Sequence, residues 1–468
     1  MAGALLTLVV VFVLYLDSRS DLQVWHTLQL EDEFTSRKKI TTLEEYLALE
    51  ERLFRQLDER IYDEIPEKNR NSIARYSRGS LVDPGRWQHN WNRTFELTSE
   101  SPQAAVLLLH GMSDSPYSVR LLAQQLHEAG AHVLALRMPG HGTLPSGLVK
   151  LKWQDMDQAV RLGVMHLHQL NSSRPLYIVG YSTGAALAVN YALSSLQDST
   201  LPKVGKLVLL SPAIGVTEIA VLAKWQARLG HKLGLEKLAW SDILPEYDPF
   251  KYNSFAVNAG DVVYQLTEQI KQRIIELDNK GKLADFPSTL AFSSVVDATV
   301  SAPELIKGFF SYLQPNNHEL VLFDVNRYAR IEPIMSWDPS PFVQAFHRDP
   351  ERGYTLSVLT NQNARSNNVI LKSTPSGKTD SIEIPLNYAW PEQVYSLSHV
   401  ALPFSAADPL YGKQTPANEV SIPLGNLALR GERNVLEISP SELLRLRWNP
   451  FYEFMKKRIF NFVGIQSR

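Results

Sequence analysis

The sequence predicts an α/β fold: a mainly parallel β-sheet with helices on both faces, carrying a helical lid insertion and, later, a small β insertion. Three observations predict it. From Thr94 onward, short apolar runs alternate with stretches of helical periodicity, which is the pattern of strand–helix units. The run Leu176 to Tyr181 leads through Gly180-Tyr181-Ser182-Thr183-Gly184 into a helix of small residues, as a buried strand turning into a closely packed helix would. The chain has 468 residues, 44% hydrophobic and 21% charged, the composition of a globular enzyme with a large core.

The same composition excludes several function classes. A formal net charge of −2, with no basic stripe interleaved with aromatics, gives no reason to expect a nucleic-acid partner. With no cysteine there is no disulfide, thiolate metal site or cysteine nucleophile, so a covalent nucleophile is a hydroxyl. There is no internal repeat.

The first element, Ala2 to Leu16, is almost wholly apolar. At about 1.5 Å per residue it reaches roughly 22 Å, short of the ~30 Å hydrocarbon core of a bilayer. No small-x-small cleavage site follows before Asp17, so residues 1–16 are expected to be a retained membrane anchor, with an exported soluble form and a buried helix as alternatives. The side of the membrane is left open, because Arg37, Lys38 and Lys39 are offset by five nearby acidic residues. Residues 17–75 form a helical extension, in which Thr42-Leu43-Glu44-Glu45 resembles a capping box. Leu43, Tyr46, Leu47, Leu53, Phe54, Leu57 and Ile61 then recur at helical spacing. Their stripe is expected to lie on the main domain, residues 76–468.

Within that domain Ala104 to Leu109 reads as a strand ending in HGMSDSP (110–116), followed by a helix to about Ala129. A strand from His132 to Leu136 leads into RMPGHGT (137–143). Trp153 to Leu170 reads as a helix, Leu176 to Tyr181 as a strand, and Val204 to Leu210 as the next strand. The alternation then stops. Residues 213–285 carry mixed helical patterns with Trp225, Leu229, Leu233, Trp240, Phe250 and Tyr252, and an insertion of this size between strands reads as a lid.

The sheet pattern resumes at Ser288 to Val296, directly followed by Asp297. Ser301 caps a helix to about Leu313, and Glu319 to Val325 is a strand. Residues 326–393 read as an inserted segment, with β pattern at Thr355 to Leu359, Val369 to Lys372 and Ser381 to Ile384. Ser441 to about Phe462 is predicted as one closing helix packed on the sheet, its Lys456, Lys457 and Arg458 forming a solvated basic face.

Gly-x-Ser-x-Gly at a strand-to-helix turn points to Ser182 as a nucleophile. A serine hydroxyl attacks at neutral pH only when a base takes its proton, and that base needs a carboxylate to orient it. In such a sheet the partners follow in the order serine, acid, histidine. Asp297, at the exit of an apolar strand, is the candidate acid, whereas Asp324 lies inside a strand pattern and reads as structural. Beyond the resumed sheet stand His318, His347 and His399. His318 precedes a strand at the wrong edge. His399 follows a strand-like run and is the candidate base, with His347 as the alternative. The developing oxyanion needs backbone donors, expected at Thr183 and, after the turn His110-Gly111, at Met112. His110 and His141 read as loop organisers. His166 and His168 face different ways on a helix, so no metal site is expected.

Taken together, HGMSDSP, RMPGHGT, GYSTG, the lid, SVVDATV and SLSHVALPF resemble the α/β-hydrolase superfamily, in the branch of monoacylglycerol lipases, lysophospholipases and serine aminopeptidase-like hydrolases. The resemblance covers roughly Thr94 to Pro403. It implies an α/β-hydrolase fold with Ser182, Asp297 and His399 as a triad and Met112 and Thr183 as the oxyanion hole. One departure is the unusually long segment between Asp297 and the histidine. The function so implied is hydrolysis of carboxylic esters, lipid or small-molecule, through an acyl-enzyme and without a cofactor or metal. Two alternatives stand beside it. One is an aminopeptidase-like hydrolase using Glu246 or Asp248 to hold an amine; the other is an inactive scaffold of this fold at the membrane. Nothing in the sequence specifies an oligomeric state.

Overall fold

A computed structural model describes residues 2–65, 72–215, 235–414, 422–427 and 438–465 of the chain. Its organising feature is a sheet sandwiched between two apolar layers, and strand alternation explains why both layers exist. Along β2 (Ala105–Leu109), following a short edge strand β1 (Phe95–Leu97), Ala105, Leu107 and Leu109 enter one buried cluster and Val106 and Leu108 the other. A strand buried on both faces reads as a continuous apolar run, and AVLLL does.

After β2 come α-helices and strands in turn. An N-terminal helix α1 (Ala2–Asp17) and a second, α2 (Leu43–Leu57), precede the sheet. Then follow α3 (Tyr117–Glu128), β3 (His132–Leu136), α4 (Trp153–Leu170), β4 (Leu176–Tyr181), α5 (Thr183–Gln197) and β5 (Lys206–Leu210). The second half holds α6 (Val257–Asn279), β6 (Ser288–Ser294), α7 (Ala302–Gly308), β7 (Glu319–Phe323) and α8 (Ser340–His347). The chain closes with β8 (Thr355–Asn361), β9 (Asn368–Thr374), β10 (Ile382–Ala389) and α9 (Tyr452–Val463). Among the described residues these strands make one ten-stranded sheet, in the order β1-β3-β2-β4-β5-β6-β7-β8-β9-β10. From β3 to β8 every neighbouring pair is parallel; β1 and the β8-β9-β10 run are antiparallel. Residues of α2, α4, α5 and α6 fill one face, and residues of α3 and α9 the other.

The Thr42 capping box forms as expected, its hydroxyl accepting from the Glu45 N–H while Glu45 reaches back. Leu43, Tyr46, Leu53, Phe54, Leu57 and Ile61 are buried, with Leu47 half-buried, so the extension does lie on the main domain.

Four expectations are corrected. The β pattern within 326–393 is not a separate small insertion: β8 pairs parallel with β7, and β9 and β10 continue the central sheet outward. The reason is that β7 would otherwise leave an open edge, and Leu356, Val358 and Leu359 supply apolar side chains to both layers. Within 213–285, α6 is no lid element. Val262, Leu266 and Ile270 join the layer of the elbow helix, Thr267 Oγ1 donates to Ala213 O (3.1 Å) and the Arg273 guanidinium to Asn190 O (3.2 Å). What covers the loops is the cap segment 235–256; Trp225, Leu229 and Leu233 lie outside the described residues.

The closing helix is two pieces, Pro440–Leu443 and α9, and Pro450, in the stretch between them, bars one continuous helix. Its basic face is only partly solvated, since Arg458 donates to both Glu319 oxygens (3.0 and 2.6 Å). Strand β1, three residues long, is too short for a periodicity to reveal. The apolar N-terminal run does form a helix, of 16 residues, and among the described residues no helix is long and apolar enough to cross a membrane.

Candidate active site

The turn from β4 into α5 demands its glycines. A Cβ on Gly180 would stand 2.4 Å from Ala185 Cα, and one on Gly184 would stand 2.4 Å from Leu109 O, so neither position admits a side chain. Between them Ser182 has φ 53° and ψ −116°, a left-handed conformation unusual for a non-glycine residue. Backbone bonds hold it there: Ser182 N–H donates to Leu210 O (2.8 Å), and Ser182 O accepts from Ala213 N–H (3.1 Å). Its hydroxyl is thereby set at the carboxyl end of the sheet.

Ser182, Asp297 and His399 are brought together. Ser182 Oγ lies 3.0 Å from His399 Nε2, and His399 Nδ1 lies 2.9 Å from Asp297 Oδ2. An ionised carboxylate only accepts, so Nδ1 carries the proton and Nε2 presents its lone pair to the serine hydroxyl. Asp297 Oδ1 accepts from the N–H groups of Thr299 (2.8 Å) and Val300 (2.9 Å). Burial raises the Asp297 carboxyl, but the charge and hydrogen bond of His399 and those two N–H groups outweigh it, and the group is held below its ordinary value. His399 sits on a short 3-10 turn, His399–Ala401, with Ser398 Oγ donating to Leu446 O and Tyr181 OH contacting His399 O (3.5 Å).

The loop after β2 approaches this relay from the other side. A Cβ on Gly111 would fall 3.2 Å from Ser182 Cβ and 2.7 Å from Asp114 Oδ2, so the turn preceding Met112 lies against the serine. His110 fixes that turn. Its Nε2 accepts from Met138 N–H (3.0 Å) while Nδ1 contacts Gly111 O (2.8 Å), tying the loops after β2 and β3 together. Burial, then the neighbouring His141, pushes His110 well below the ordinary histidine range, so it serves as a neutral strut. Thr183 opens α5, and its N–H is among the first four of the helix, which have no acceptor within it.

The cap segment closes on the same loop. Tyr252 N–H donates to Ser113 O (2.8 Å), Lys251 Nζ pairs with Asp114 Oδ1 (2.9 Å), and Tyr252 OH accepts from Thr143 N–H (2.8 Å). Sequence reading missed Lys251 and Asp114, and no local signal joins residues 137 positions apart. It also missed Thr299, which the spacing Asp297-x-Thr299 does announce as an Asx turn.

Other candidates lie elsewhere. His347 is buried against Thr374 Oγ1 (2.6 Å), His318 Nδ1 accepts from Thr289 N–H (3.1 Å) at the strand entry, and Asp324 pairs with Arg327 (3.0 Å). Glu246 accepts from the N–H groups of Asn253 (3.0 Å) and Ser254 (2.9 Å), and Asp248 from those of Phe250 and Lys251 and from Tyr411 OH (2.6 Å). Trp240, Phe250 and Tyr252 are buried against the rest of the chain, Phe250 stacked on Tyr117, Trp240 edge-on to His26 and Tyr252 bonded to the loop after β3. Among the described residues, no group of three or more His, Cys, Asp or Glu could hold a metal ion.

With this geometry in hand, the relatives are informative. Residues 100–272 match the family described as "Serine aminopeptidase, S33" (Hydrolase_4). The core has the α/β-hydrolase fold. A thermostable monoacylglycerol lipase of Bacillus sp. (strain H-257) is 31% identical over 94 residues, which are 20% of this chain and 37% of that enzyme. Among solved structures, the chain is similar to the Paleococcus ferrophilus monoacylglycerol lipase (20% identity, 49% of this chain and 88% of that one, TM-score 0.37). It is also similar to a soluble variant of the Saccharomyces cerevisiae monoglyceride lipase (14% identity, 49% and 80%, TM-score 0.37). The family match ends inside α6, so Asp297, His399 and the outer strands of the sheet lie beyond it.

Proposed function

We propose that the chain is a serine hydrolase of carboxylic esters, lipase- or esterase-like, working through an acyl-enzyme. Ser182 attacks the ester carbonyl as His399 takes its proton. His399 then protonates the leaving alcohol, and Asp297 orients and stabilises the imidazolium. The N–H groups of Met112 and Thr183 stabilise the oxyanion. Water enters by the same route in reverse and frees the acid. The observation that carries this reading is the continuous relay from Ser182 Oγ through His399 to Asp297, at 3.0 and 2.9 Å. Ester rather than amine-anchored peptide substrates are favoured because Glu246 and Asp248 already spend their oxygens on backbone N–H groups and Tyr411.

The reading includes a membrane anchor at residues 1–16. Its support is a helix without a charged residue from Ala2 to Leu16, on which Val10, Val11, Leu14 and Tyr15 are exposed. Purified Ser182→Ala is expected to lose on the order of 10⁶ in kcat on short acyl esters and to escape labelling by a fluorophosphonate. Full activity in that variant overturns the mechanism. A wild type that neither turns over esters nor takes the label would instead be the inactive scaffold.

A further inference from the structure

The C-terminal end of α1 is fastened to the cap over the candidate active site. Arg19 donates to three cap carbonyls: Lys237 O (2.9 Å), Trp240 O (2.7 Å) and Ser241 O (2.9 Å). In return Lys237 Nζ reaches Arg19 O (2.9 Å), Leu16 O (3.5 Å) and Asp21 Oδ1 (2.9 Å). The last carbonyls of a helix have no partner within it, and here a lysine of the cap reaches one of them, Leu16 O. Arg19 and Lys237 therefore tie the end of the helix and the cap together through backbone carbonyls on both sides.

The cap is in turn fastened to the site on both flanks. Ala213, before it, donates to Ser182 O, and Tyr252, within it, to Ser113 O beside the turn at Gly111. The strap after α1 runs along the same end of the sheet. His26 Nε2 lies 2.9 Å from Ser254 Oγ, its ring is edge-on to Trp240 at 4.9 Å, and Gln29 Nε2 donates to Ser146 O (3.0 Å) in the loop after β3.

The occupant that suits α1 is lipid. A helix seated in a protein groove keeps a polar face toward water, whereas this one is apolar all round. From Ala2 to Leu16 its polar side chains are Thr7, whose hydroxyl donates to its own helix at Gly3 O (3.0 Å), and Tyr15. Tyr15 lies at the end where Arg19 stands 5.9 Å from its ring centroid, with Lys237 close by; aromatic and basic residues at the end of an apolar helix suit a membrane–water interface.

We propose that α1 and the cap segment Lys237–Ser241 form one membrane-facing unit that sets the mouth of the active site against the bilayer, so that the acyl ester is drawn from lipid rather than from water. This rests on the reading of α1 as a lipid anchor and extends it from tether to orienting device.

The absence of native cysteine allows single-cysteine labelling of the full chain. A polarity-sensitive fluorophore at Asp242→Cys, exposed on the cap, is compared with one at Ser173→Cys, exposed at the amino end of β4. On phosphatidylcholine vesicles the label at 242 is expected to shift to the blue and become shielded from aqueous iodide, while the label at 173 is unchanged. Arg19→Gln should leave vesicle binding and hydrolysis of a water-soluble short-chain ester intact, but lower hydrolysis of a vesicle-embedded monoacyl ester several-fold and expose the label at 242. Vesicle-bound protein with both labels in water overturns the orientation and leaves the anchor standing. Protein that does not bind vesicles overturns both, and neither result touches the triad.

Discussion

At the scale of single residues, the chemistry depends on which histidine reaches Ser182. Two were candidates in the sequence, and only one shares a hydrogen bond with the serine. His347 is 27 residues from its partner Thr374 along the chain and touches no residue of the relay. His399→Ala is therefore expected to lower kcat on short acyl esters by several orders of magnitude, while His347→Ala leaves it within a few-fold. Steady-state kinetics on the two variants side by side checks this; equal losses would send the base assignment back to the alternatives. The candidate nucleophile and the candidate acid were easier to pick out, because each carries a local mark. Ser182 has glycines whose Cβ positions are filled by Ala185 and Leu109, and Asp297 stands just past the exit of an apolar strand. A histidine in a loop carries no such mark.

At the scale of elements, the N-terminal extension belongs to the core rather than decorating it. Arg137, at the exit of β3, is 1% exposed and is held by Glu50 of α2 (3.1 Å) and by Glu33 (3.0 Å). Tyr46 OH donates to Arg137 O (2.7 Å), and Glu50 accepts from Thr94 N–H (2.9 Å). Removing one partner of such a pair leaves a buried charge unpaired. Arg137→Met is expected to destabilise the protein by about 3–5 kcal/mol, and adding Glu50→Gln should recover part of that. Urea midpoints of the single and double variants test it. The capping box and stripe of α2 were legible; the residues that lock it in place, far apart in sequence, were not.

At the scale of the molecule, several histidines are buried neutral. Burial pushes His26, His141, His318 and His347 each down to about 4 from an ordinary value of 6.5. Between those values the unfolded chain binds a proton at each site that the folded chain does not, so stability rises with pH there. Denaturant unfolding is expected to show stability falling steeply from about pH 6.5 to about 4. Carboxylates held below their ordinary value, such as Asp297 with its ordinary value of 3.8, lose their contribution only at lower pH still. A flat profile across that window would show that these histidines titrate freely.

The sequence by itself determined the layered α/β core, the elbow and the place of the candidate acid. These features are written in short-range terms: strand alternation, forbidden Cβ positions, and an aspartate at a strand exit. Tertiary structure decided the rest. It joined β8 to β10 to the main sheet, since β pattern specifies a strand but not the edge it completes. It moved α6 from the lid to the core layer, because an amphipathic helix does not encode which surface its stripe meets. It also brought His399 between Asp297 and Ser182, brought Lys251 to Asp114 and fastened Arg19 to the cap. Each of those contacts joins residues more than a hundred positions apart, at distances that only the closed fold creates.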